Sequence, residues 1–96
     1  MIHFIATFPS TQAALEAERA LLGQALPVEL IPVPTQIRGD CGFCLRVEAG
    51  ADAPEAARRL ALLGSSGTRD LWRVTLAPEP GSSRKVKHYE RISPDP

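Results

Sequence analysis

Apolar and polar residues alternate over the first eight positions, with Ile2, Phe4, Ala6 and Phe8 on one side and His3, Ile5 and Thr7 on the other. A period of two predicts a strand with one buried face. Pro9, Ser10 and Thr11 follow as a turn and a helix cap, and Leu15, Glu18, Leu21, Leu22 and Ala25 recur at helical spacing. These signals predict a helix over residues 11–25. Residues 28–33 predict a second strand, and Pro27, Pro32 and Pro34, which have no backbone donor for a central ladder, put it at a sheet edge. Phe43, Leu45, Val47 and Ala49 alternate with Cys44, Arg46 and Glu48, a third strand that can pair with the second as a long antiparallel hairpin. Residues 52–63, opened by Asp52 and Pro54 and stopped by Gly64, read as a second helix rich in Ala and Leu. Residues 70–77 predict a fourth strand, with Trp72, Val74 and Leu76 assigned to its buried face.

The order strand, helix, strand, strand, helix, strand is the split βαβ or ferredoxin-like (βαββαβ) pattern. It predicts an α+β fold in which a four-stranded antiparallel sheet carries both helices on one face. The other face is then expected to present Ile5, Ile31, Val33 and Leu71 among His3, Thr7, Arg46, Glu48 and Arg73. So apolar a mixture predicts a homodimer through the open sheet face, another partner, or cover from Val86, Tyr89 and Ile92. From Pro78 the composition shifts to Pro, Gly, Ser and charge. Residues 1–77 are therefore expected as a single domain, and residues 78–96 as a largely disordered tail with a short interacting stretch over 83–92.

Eleven basic and eleven acidic side chains balance in 96 residues, so overall charge points to neither a nucleic acid nor a membrane surface as partner. The basic run Arg84, Lys85 and Lys87 is diluted by Glu79, Glu90 and Asp95 and reads as solvated. The amino terminus shows no basic region followed by a long apolar run, and a cytoplasmic location is expected. Paired carboxylates and a Gly-rich phosphate loop are missing, and His3 and His88 stand far apart. A structural zinc site needs four ligands where two cysteines are on offer, so no metal is expected.

The chemistry therefore narrows to a thiol. The two cysteines fall in Cys41-Gly42-Phe43-Cys44, where a polar loop turns into the third strand. In a reducing compartment such a pair is reactive or metal-binding rather than a staple. A resting disulfide is disfavoured: residues three apart in a strand lie roughly 10 Å apart, whereas a bridge needs Cα atoms within about 7 Å. The expected topology sets the third strand beside the first, so Cys41 lies close to the helix that begins at Ser10. The amides and dipole of that helix start, with Ser10 and Thr11, would favour a thiolate or another anion, Arg38 would add to the effect, and Asp40 would oppose it. Cys44 falls by strand parity on the face away from the core, as a candidate resolving thiol.

The motifs Phe8-Pro9-Ser10-Thr11, Glu16 to Glu18, Ile31-Pro32-Val33-Pro34 and Asp40-Cys41-Gly42 occur in that order. With them the chain resembles a small bacterial family described as selenium/sulfur carrier proteins, over roughly residues 2–72. The resemblance implies sulfur or selenium held on Cys41, beside Gly42, as a persulfide or selenopersulfide. Donor and acceptor proteins are then the partners, no cofactor is needed, and the protein is a carrier rather than an enzyme. Gln12 stands where that family commonly has His, Cys44 where it has an apolar or small residue, and the polar tail is unusual for it. The rival is a noncatalytic interaction or regulatory module that binds through the open sheet face, its cysteines incidental. A dithiol redox protein is disfavoured, because a redox CxxC usually opens a helix rather than a strand.

Overall fold

The computed structural model describes residues 2–37, 42–81 and 83–92. Its elements run β1 (Ile2–Thr7), α1 (Thr11–Gly23), β2 (Glu29–Pro32), β3 (Phe43–Glu48), α2 (Ala53–Gly64), β4 (Asp70–Pro78) and β5 (Lys85–Ile92). The described strands form one antiparallel sheet in the order β2-β3-β1-β4-β5.

Local chemistry explains the helices. The Ser10 hydroxyl accepts a hydrogen bond from the Ala13 amide at 3.1 Å, and Ala14, Ala17 and Leu21 form the buried stripe of α1. The helix ends in a Schellman arrangement: the Leu26 amide donates to the Leu21 carbonyl and the Ala25 amide to the Leu22 carbonyl, both at 3.0 Å. Ala25 takes the left-handed position at φ 62°, where a Cβ costs energy that glycine avoids. Ala25→Gly is therefore expected to stabilise the fold by about 0.5–1 kcal/mol, read as a melting temperature raised by a few degrees. A lowered melting temperature would show that Ala25 carries no strain. In α2 the Asp52 carboxylate accepts from the Glu55 amide at 2.8 Å. Arg59 ties the helix to the end of β3, donating to the Glu48 carbonyl at 2.9 Å and pairing with Glu55 at 2.7 Å. Gly50, at φ +103°, leaves room for the Glu55 side chain, which a Cβ there would meet at 2.8 Å.

Both helices bury their apolar residues on the same side of the sheet. Phe4, Ala6 and Phe8 from the first strand segment pack with Leu45 and Val47 of β3, Leu71 of β4, Ala14, Ala17 and Leu21 of α1 and Leu63 of α2. A second cluster occupies the opposite face, where Ile5, Ile37, Cys44 and Val74 are buried and Ile31, Val33, Trp72 and Tyr89 pack around them.

The α+β class with two helices on an antiparallel sheet stands, and two expectations are corrected. The sheet has five strands rather than four, so its order departs from a simple ferredoxin-like sheet. The extra strand comes from the segment expected to be largely disordered: Lys85–Ile92 pairs with β4 from Leu71↔Ile92 to Pro78↔Lys85. The hairpin is closed by the Glu79 amide on the Arg84 carbonyl at 2.8 Å, with Gly81 at φ +75° in its turn. Its charges pair across the ladder, Arg73 with Glu90 and Arg91 with Asp70. Charged composition marks an edge strand as readily as a solvated tail.

The second correction concerns β4. Leu71 is registered with Ala6 and belongs to the helix side, whereas Trp72, registered with Ile5, and Val74, registered with His3, lie on the opposite face. Trp72, Val74 and Leu76 do share one side of β4, but alternation within the strand does not say which side of the sheet that is, and the pairing with β1 turns it away from the helices. The second face is covered at its centre by Ile37 and by Tyr89, one of the three residues expected as cover, whereas Ile92 packs on the helix side.

Candidate functional site

The start of β3 lies beside the end of β1, since Thr7 is registered with Cys44. From the same end of the sheet Pro9 and Ser10 lead into α1. Ser10 is extended (φ −153°, ψ 162°) and uses its hydroxyl as the cap, and the first turn of α1 contains no acidic residue. The positive end of the helix dipole is thus not offset by a carboxylate within that turn. Thr11 is the first residue of the helix and is exposed. Gln12 donates through its side-chain amide to the Glu16 carboxylate at 3.2 Å.

Gly42 is exposed, and its carbonyl accepts from the Val33 amide at 3.0 Å, joining the end of β2 to the start of β3. A Cβ at Gly42 would meet nothing within 4 Å among the described residues. The backbone at this point is open to an approaching molecule. Of the other predicted site residues, Arg38 and Cys41 lie outside the described residues.

Cys44 faces the other way. It stands on β3 between Ile31 of β2 and Thr7 of β1, 0 % exposed, and its thiol lies 3.9 Å from the Pro32 carbonyl as donor. The chain after β2 folds over it: the Ile37 amide donates to the Pro34 carbonyl at 3.0 Å, and the Ile37 side chain joins the cluster around Cys44. Tyr89 packs against that cluster, and its phenol is raised above its ordinary range by burial first and by the neighbouring Cys44 second. Sequence reading missed Ile37 as a core residue. A single apolar side chain in a polar loop carries no period by which to find it.

His3 lies on the same face. Its pKa is lowered, chiefly by desolvation and then by Arg46, with Glu48 opposing and Lys87 adding a smaller depression. Among the described residues no group of three potential ligands could hold a metal ion. A pocket of about 540 Å³ opens at the opposite end of the sheet, lined by Ile2, Phe4, Ala49, Ala53, Ala56 and Arg73 among others. The Arg73 guanidinium there is already engaged by Glu90. No helix of the described residues is long and apolar enough to cross a membrane.

The family model described as "Putative Se/S carrier protein-like" matches residues 3–62, which is more than half of the chain and spans β1 through most of α2. The chain belongs to this family. The match contains the capped start of α1, the Cys41-Gly42 loop and Cys44, and it ends before β4 and β5. No match was found among curated proteins or among solved structures.

Proposed function

We propose that this protein carries sulfur or selenium on Cys41 as a persulfide or selenopersulfide and delivers it to an acceptor enzyme. Membership of the carrier family across residues 3–62 is the observation that carries this reading. Two features of the described residues support it. Gly42, covalently next to Cys41, borders open space, and the start of β3 stands at the sheet end from which α1 begins with an acid-free first turn. A thiolate is the attacking form in exchange, and a helix amino terminus lowers a thiol pKa from its usual value of about 8.5.

Loading and delivery are exchange reactions without net oxidation. The Cys41 thiolate attacks the terminal sulfur or selenium of a donor persulfide or selenopersulfide, the new bond forms to that atom, and the donor thiolate leaves. Delivery reverses the roles: an acceptor nucleophile takes the terminal atom and Cys41 leaves as thiolate. On this reading the protein is a cytoplasmic carrier rather than an enzyme with turnover. Ser10, Thr11, Arg38 and Gly42 shape the anion's surroundings, and its partners are the donor and the acceptor.

The interaction-module reading requires an open apolar sheet face, and the centre of that face is taken up within the chain by Ile37, Trp72 and Tyr89. The carrier reading is tested by intact mass after exposure of reduced protein to a small-molecule persulfide. Wild type and Cys44→Ala are expected to gain one sulfur that a thiol removes, and Cys41→Ser none. Equal loading of Cys41→Ser, or no loading of wild type, would sink the reading.

A further inference from the structure

A persulfide three residues from a second thiol has a route to self-destruction. The Cys44 thiolate would attack the Cys41 sulfur, a Cys41–Cys44 disulfide would form, and the cargo would leave as hydrosulfide or hydroselenide. The two thiols would be oxidised and the cargo reduced, so a carrier with two exchangeable cysteines would discharge without an acceptor.

The fold places Cys44 where it cannot do this readily. It is the second residue of β3, already paired on both sides, with Ile31 of β2 and with Thr7 of β1, so its backbone cannot shift without breaking both ladder pairs. Its side chain is wholly buried with Ile5, Ile37 and Val74, and its thiol points at the Pro32 carbonyl. It occupies the sheet face opposite α1, whose buried residues belong to the other cluster. A thiol enclosed in apolar side chains is inert in exchange, because the thiolate is disfavoured there and an attacking trajectory is blocked.

We propose that Cys44 is withheld from thiol exchange, so that the protein works as a one-thiol carrier whose cargo leaves only by attack from a nucleophile supplied by the acceptor. The inference rests on the carrier reading and goes further by excluding the chain's own second thiol from the release reaction. That reaction is nucleophilic capture of the terminal sulfur or selenium with Cys41 thiolate as leaving group and no change of redox state. An acceptor that relied on the carrier's own second thiol to release sulfide is the wrong class.

Two readouts on the full-length protein test it. Trypsin cuts after Arg38 and Arg46, so both cysteines fall in one peptide, residues 39–46, and fragment masses tell their labels apart. Under native conditions iodoacetamide is expected to label Cys44 about 10³-fold more slowly than Cys41, and at a similar rate once the protein is unfolded in urea. Sulfide release from persulfide-loaded wild type is expected to match that from Cys44→Ala and from the bulkier Cys44→Val within about twofold. Ile5→Ala, which loosens the shell while leaving both thiols, is expected to raise Cys44 labelling and sulfide release together. Native labelling of Cys44 at the Cys41 rate overturns the proposal. So does a loaded wild type that sheds sulfide into an internal disulfide while Cys44→Ala keeps its cargo. A wild type that takes no cargo overturns the carrier reading and this inference with it, whereas discharge through Cys44 overturns the inference alone.

Discussion

Removing residues 79–96 is expected to lower the unfolding free energy by about 2 kcal/mol or more, because β5 contributes to both layers of the molecule. Ile92 packs against the helix-side core and Tyr89 against the cluster on the opposite face. Fully burying an apolar side chain of this size contributes about 1.5–3 kcal/mol, and Ile92 and Tyr89, each half-buried, together lose roughly one such contribution. The truncation also turns β4 into an exposed edge strand and leaves Arg73 and Asp70 without Glu90 and Arg91. Those exposed ion pairs matter little beside the apolar loss, since such pairs contribute up to about 1 kcal/mol each. Urea unfolding followed by circular dichroism and by emission of Trp72, the single tryptophan, provides the measurement. Trp72 belongs to the cluster that Tyr89 covers, so its emission is expected to shift toward that of solvated indole in the truncated chain even before unfolding. An unchanged midpoint and an unchanged emission would show that residues 1–78 are a complete fold and that β5 is an appendage.

Phe8→Ala is expected to cost about 3–5 kcal/mol, a large share of the roughly 5–15 kcal/mol that a domain of this size commands. Phe8 is 0 % exposed and follows β1 as the chain turns into α1, so its ring fills the core at the sheet end where the candidate site is built. Lost transfer energy and an unfilled cavity add in such a place. Leu15→Ala on the outer side of α1, where the side chain is 44 % exposed, is expected to stay within about 0.5 kcal/mol of wild type. The contrast between the two in urea midpoint is the test. A Phe8→Ala protein as stable as Leu15→Ala would mean that the helix-side cluster does not hold the site in place.

Much of the fold is legible in single segments. Phe4, Ala6 and Phe8 name their buried side, although Ile2, expected with them, lies exposed at the strand's end, and α1 and α2 announce their starts through Ser10 and Asp52, which do cap them. The hairpin of β2 and β3 and the edge position of β2 follow from alternation and from proline, and both hold. What failed has a common cause. β4 does alternate, with Trp72, Val74 and Leu76 on one side, but its period cannot say whether that side meets the helices. Lys85–Ile92 is polar on both, so its period barely exists, and its strand character resides in pairing with β4 rather than in its own residues.

The candidate site divides the same way. Two cysteines three apart, a capped helix start and the order of the flanking motifs are visible without coordinates, and they suffice to point at the family that the match over residues 3–62 shows. Arg38 and Cys41 lie outside the described residues, and their roles remain proposals on the carrier reading. The burial of Cys44 was not legible. Strand parity put it on the face away from the helices, which holds, but a face without helices reads as solvated until something is seen to cover it.

By itself the sequence determined where helices and strands begin, which residues share a side within each, and the family to which the chain belongs. Those are properties of short stretches, set by backbone period, cap chemistry and motif order. Only the tertiary structure decided that the sheet has a fifth strand, that β4 turns Trp72 and Val74 rather than Leu71 to the second face, and that Cys44 is enclosed. Enclosure is made by Ile37 from the loop that precedes β3 and by Ile5 and Val74, which arrive from thirty or more residues along the chain, and no local pattern encodes neighbours so distant.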